Sequence, residues 1–176
     1  MRWDGFEAAA PELATIGRRR LEERHLCLVG TLRRDGAPRI SPVEPYFVQG
    51  ELMIGMMWRS RKTQDLLRDP RLVVHSPVTD WDGGEGDVKL HGRAEPILDR
   101  PRRLALFAAI DAAHEWEPDP DEPDDDPEYH MFAVDVASAG YTRFTPEFWE
   151  SWSWSEGAEL HKLTHPPDAS GSRRAP

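Results

Sequence analysis

Apolar and polar positions change period several times along the chain, and each change marks an element. Over PELATIGRRRLEERH, residues Leu13, Ile16 and Leu21 fall roughly on one face and Pro11 holds a favoured early position, which predicts a first helix. HLCLVGTL then reads as a buried strand, and RRDGAP supplies an Asp35-Gly36 turn. PRISPVEPYFV alternates only in part. Pro42 and Pro45 demote some of it to an edge or a bulge, because proline cannot donate to a ladder. Gly50 turns the chain into the strand ELMIGMMW, and a short helix follows between an N-cap at Ser60 and a stop at Pro70. RLVVHSPV and DVKLHGRAEPI are further strands, separated by the loop TDWDGGEG. PRRLALFAAIDAAHEW is an amphipathic helix with Pro101 near its start, and YHMFAVDVASAGYTRF is the last long strand or pair of strands.

Strands at short spacing, two DG or QG turns and three helices predict a mainly β, α+β protein with an antiparallel barrel rather than a doubly wound sheet. A chain of 176 residues suits one domain, expected over 1–163, with a polar, Pro-rich tail over 164–176. No run of 18 apolar residues predicts a membrane span, and MRWDGFEAAAPEL lacks the apolar core of a secretory signal. Cys27, the one cysteine, lies in an apolar run and reads as a buried thiol. These features together predict a cytoplasmic protein. The net charge of −10 is local in origin: nine of the 32 acids lie in EWEPDPDEPDDDPE (115–128), leaving 23 acids against 22 bases elsewhere. A nucleic-acid partner would call for a basic excess, so none is expected. The acidic segment reads as a solvated loop, since it lacks the glycine turn and ligand spacing of an EF-hand.

The stretch MMWRSRKTQDLLRDPRLVV carries the chemistry. A first helical turn bears partial positive charge and usually recruits acids, yet Arg59, Arg61 and Lys62 crowd this one, with Asp65 in partial answer. Backbone N–H groups, guanidinium groups and an ammonium at a helix start make an anion site of phosphate type, against the alternative of a solvated basic face. Pairing Arg39's strand with ELMIGMMW as one hairpin would bring Arg39 and Arg61 to one corner of the barrel.

PRISPV, a Gly turn, ELMIGMM and SRKTQDLLRDPRLVV together resemble the cofactor-binding core of the pyridoxamine 5′-phosphate oxidase-like family, over roughly residues 25–97. YHMFAVDVASAGYTRF is similar to that family's later strands. The resemblance implies a Greek-key split β-barrel that binds FMN, with Arg39, Arg61 and Lys62 on the cofactor phosphate and Ser60 nearby. It implies that the backbone of Ile40, Ser41 and Pro42 runs along the isoalloxazine edge. It also implies a homodimer with the cofactor at the interface, a small-molecule substrate and flavin-dependent redox chemistry. A deazaflavin (coenzyme F-420) reductase on the same fold, or a non-catalytic flavin- or haem-binding module, are the alternatives.

Two departures qualify the resemblance. Family oxidases tend to carry a Thr four residues before the Ser, where this chain has Met56, and FWESWSWSEGAELHKLTHP lacks the Arg-containing segment that grips the vitamin substrate. Alternation puts Trp152 and Trp154 on one face of any strand, which favours core or dimer packing of these and Trp149 over flavin contact. Trp58 reads the same way. His161 and His165 lack a third ligand in register, so no metal is expected. No catalytic residue stands out. Tyr46 and His75 read as ordinary barrel positions.

Overall fold

A computed structural model describes residues 1–115 and 129–166. In chain order the elements are α1 (Trp3–Ala9), α2 (Pro11–Glu22), β1 (Cys27–Leu32), β2 (Pro38–Val43), β3 (Pro45–Val48), β4 (Glu51–Met57) and α3 (Arg61–Arg68). Then come β5 (Arg71–His75), β6 (Asp87–Pro96), α4 (Arg100–His114), β7 (Tyr129–Phe144), β8 (Trp149–Ser155) and β9 (His161–His165). The strands run in the order β2-β1-β5-β6-β7-β4-β3, with β8 added to β7 and β9 to β8, and neighbours pair antiparallel.

That order forces closure. In a flat sheet β2 and β3, at the two ends, would lie roughly 29 Å apart, six spacings of about 4.8 Å. Yet Glu44 alone separates Val43 from Pro45, and one residue spans about 7 Å at most. The sheet therefore curls until its edges meet, giving the mainly β, antiparallel split barrel with a seam where β2 and β3 part. The expectation of one hairpin between Arg39's strand and ELMIGMMW is corrected here. PRISPVEPYFV is two strands: Arg39 lies opposite Thr31 of β1, while Tyr46 lies opposite Met53 of β4. The physical cause is the Pro-flanked Glu44, where the chain changes partner.

Period-2 alternation fills the barrel. Leu52, Ile54 and Met56 of β4 join Phe132, Val134 and Val136 of β7 in the main core, capped by Trp3, Phe6 and Leu13 from α1 and α2. The opposite faces carry Met53, Met131 and Ala133, which α4 covers with Leu106 and Ile110. Four helices, not three, are seen among the described residues. The seven-residue α1 lacks a side-chain cap, and its burial of Trp3 and Phe6 is a tertiary effect that local pattern does not show. Strands β8 and β9 were also unexpected, and β9 carries Thr164 and His165, two residues past the expected start of the tail. Of the acidic segment, only Glu115 is among the described residues, as a left-handed C-cap of α4. Among the described residues no helix is long and apolar enough to cross a membrane.

Candidate functional site

The turn into α3 is where the chemistry gathers. Arg59 takes a left-handed conformation (φ 52°), and its carbonyl accepts from Gln64 Nε2 at 2.7 Å, which reverses the chain from β4 into the helix. Ser60 caps α3: its Oγ accepts from the Thr63 N–H at 3.4 Å and lies 2.9 Å from Thr63 Oγ1. The hydroxyl is therefore engaged in holding the helix start, where N–H groups and dipole favour an anion.

Beside this helix start lies a cleft of about 500 Å³. Arg39 enters it from β2 and Arg61 from the first turn of α3, so the structure brings these two predicted residues together. Gln64, Asp65 and Arg68 line it from the same helix, and Arg33, Arg34 and Asp35 from the β1–β2 turn. The helical trio lies at i+3, i+4 and i+7 from Arg61, a spacing that would have identified them. For Arg33 and Arg34 the available signal was the double arginine before the turn that returns to Arg39.

Asp65 organises the cleft. Its buried carboxylate accepts from Arg39 Nε at 2.7 Å, Arg68 Nη2 at 3.2 Å and Thr31 Oγ1 at 3.2 Å. Burial pushes this carboxyl up, but the hydrogen bonds from Arg39, Arg68 and Thr31 outweigh it and hold it below the usual carboxylate range. Arg68 also donates to the Leu32 carbonyl. Arg61 is exposed, with no ion-pair partner among the described residues.

Lys62 sits apart from the cleft. Its Nζ donates to the Pro42 carbonyl at 3.0 Å, and burial lowers its pKa, opposed by the nearby Cys27 and Glu44 side chains. Cys27 is buried and its thiol is pushed up to about 12 by burial, so it is inert as a nucleophile at neutral pH. Ile40, Ser41 and Pro42 follow Arg39 along β2, an end strand paired only with β1, which leaves half of its backbone groups outside the ladder. Ile40 itself is 72% exposed. Met56 is buried in the main core, so its position offers no donor to the cleft.

The remaining candidates have structural settings. Trp154 is buried against Phe6, Trp152 packs edge-on against Tyr141, and Trp149 stacks on His165 at 3.7 Å. Trp58 is about half exposed and lies flat against His130 at 4.2 Å. Tyr46 belongs to the second core and donates to Glu44 at 2.7 Å, while His75 faces Asp87 at 3.7 Å. His161 and His165 are the first and last residues of β9.

Comparison with known proteins agrees with this architecture. The family model described as pyridoxamine 5′-phosphate oxidase matches residues 17–143, from α2 through almost all of β7. The chain belongs to the pyridoxamine 5′-phosphate oxidase-like family. No curated protein matches it. Among solved structures, a pyridoxamine 5′-phosphate oxidase-related, FMN-binding protein from Nostoc punctiforme superposes with a TM-score of 0.62 at 15% identity, covering 89% of this chain and 96% of the other. A Clostridium acetobutylicum protein related to general stress protein 26 of Bacillus subtilis gives 0.60 at 18% identity, over 80% and 92% of the two chains. A nimC/nimA family protein from the same Clostridium gives 0.56 at 14%, over 90% and 96%. At these identities the likeness to the solved structures is one of fold alone.

Proposed function

We propose that this protein is an FMN-dependent oxidoreductase of its family, acting on a small organic substrate as a cytoplasmic homodimer. One observation carries the reading: Arg39 on β2 and Arg61 in the first turn of α3 line one cleft at the start of that helix. The residues fit a phosphate. The Arg61 guanidinium has no acid partner among the described residues, and Arg39 spends one N–H on Asp65, leaving the rest of its fork for an anion. Lys62 adds positive charge behind β2, and the Ser60 cap fixes the helix start. The backbone of Ile40, Ser41 and Pro42 is the stretch that would lie along the flavin ring. When bound, FMN supplies the redox chemistry; the chain binds it, orients it and excludes water. No side chain is assigned a proton transfer. Exposed Ile40, Met57 and Trp58 adjoin the site residues in sequence and supply apolar surface for a second subunit.

Met56 favours keeping a second reading. A buried thioether in place of a hydroxyl donor departs from the oxidase pattern, and a deazaflavin (coenzyme F-420) reductase on this fold is the alternative. An absorption titration separates the two. FMN should bind with perturbed flavin bands, and Arg39→Ala with Arg61→Ala should weaken it by several kcal/mol, at about 1.5–3 kcal/mol for each charge-assisted bond. Unchanged FMN affinity in the double variant would put the phosphate elsewhere, and binding of the deazaflavin alone would select the second reading.

A further inference from the structure

The cleft holds more positive charge than one phosphate needs. Five arginines line it, at 33, 34, 39, 61 and 68, against the two carboxylates Asp35 and Asp65. Asp65 is committed to Arg39 and Arg68, and Asp35 to Arg33 at 3.1 Å. Arg34 and Arg61 have no ion-pair partner among the described residues. The surplus is three charges, whereas a phosphate monoester brings about −1.5 to −2 at neutral pH. At about 500 Å³ the cleft is also several times larger than one phosphate.

The extra arginines are held in place. The Arg33 N–H donates to the Ala37 carbonyl at 2.9 Å, the Gly36 N–H returns to the Arg33 carbonyl at 2.9 Å, and Asp35 Oδ1 accepts from the Ala37 N–H at 3.1 Å. Gly36 closes the turn at φ +83°, a left-handed conformation that glycine adopts without strain. Arg33 and Arg34 thus leave a braced turn rather than a loose loop. A larger hollow of about 920 Å³ between α2, β3 and α4 lacks this surplus, because Arg18 and Arg19 face Glu7 and Glu23 there.

We propose that the cleft takes a ligand with two neighbouring anionic groups, the first at Arg39 and Arg61 and the second at the Arg33–Arg34 turn. This rests on the flavin-class reading above, which supplies the first group. The second is a diphosphate's outer phosphate, as in FAD, or the charged tail that follows the phosphate in the deazaflavin coenzyme.

The test is calorimetric titration of the flavin-free full chain with FMN, FAD and the deazaflavin coenzyme, in the wild type and in Arg33→Ala with Arg34→Ala. Both side chains lie on an exposed turn, and a thermal melt checks that the variant folds. The expected result is that the variant loses about tenfold in affinity for FAD or for the deazaflavin while FMN changes less than about threefold. A loss confined to FAD assigns a diphosphate, and one confined to the deazaflavin assigns its tail. FMN binding with no loss for either larger cofactor overturns the second anion position and leaves the FMN reading intact. Failure of all three to bind the wild type overturns both.

Discussion

Asp65 sits among three donors, and its charge state sets the geometry of Arg39 and Arg68. Because the folded pKa lies below the ordinary carboxylate value of about 3.9, its stabilisation is present above that value and lost as pH falls through the lower folded one. Asp65→Asn should cost about 2 kcal/mol at pH 7, and the deficit should shrink at pH 3; denaturant melts at both values check this. An equal deficit at both would mean that packing, not charge, makes the difference. At this scale much was legible. Arg61 and Ser60 followed from the misplaced charge at a helix start, and Arg39 from the family pattern and from a hairpin pairing that the structure replaces. Gln64 and Arg68 were legible from helical spacing but unread, and Asp65 was read only as a partial answer to the basic cluster. The orientation of Lys62 was not, because it depends on where β2 passes, and the helix pattern is silent on that.

At the scale of elements, the long β6–β7 ladder depends on a bulge. Register shifts between His91 and Gly92, where a Cβ would run into the Asp135 carbonyl oxygen. Gly92→Ala should therefore destabilise the protein by about 3 kcal/mol or more through forced backbone movement, read as a lower thermal midpoint; an unchanged midpoint would show that the ladder gives way freely. Alternate burial made β1, β5 and the start of β6 visible, whereas β4 and the middle of β7 showed as apolar runs because both of their faces are covered. Periodicity did not reveal that PRISPVEPYFV divides at Glu44, because strand pairing is non-local while alternation is local. The β8–β9 ribbon escaped for a related reason: Trp152 and Trp154 signalled a buried face without saying which strand would pair with them.

For the molecule as a whole, the cleft depends on the closure of the sheet. Closure of the sheet carries β2, and Arg39 with it, to the helix that starts after β4. The barrel class was readable from strand spacing, but the fourth helix was not, and the closure itself comes from topology. The proposed homodimer predicts a sedimentation mass twice that of the chain, and Ile40→Asp, which charges an exposed edge position, should shift it toward monomer and weaken FMN binding. A wild-type monomer that binds FMN tightly would contradict the interface. The central claim is that the Arg39–Arg61 corner holds the cofactor's phosphate, and comparing FMN with riboflavin, which lacks that group, isolates it. In the wild type FMN should bind about a hundredfold or more tighter, and Arg39→Ala with Arg61→Ala should abolish most of that preference. Equal affinity for the two flavins in the wild type would contradict the account.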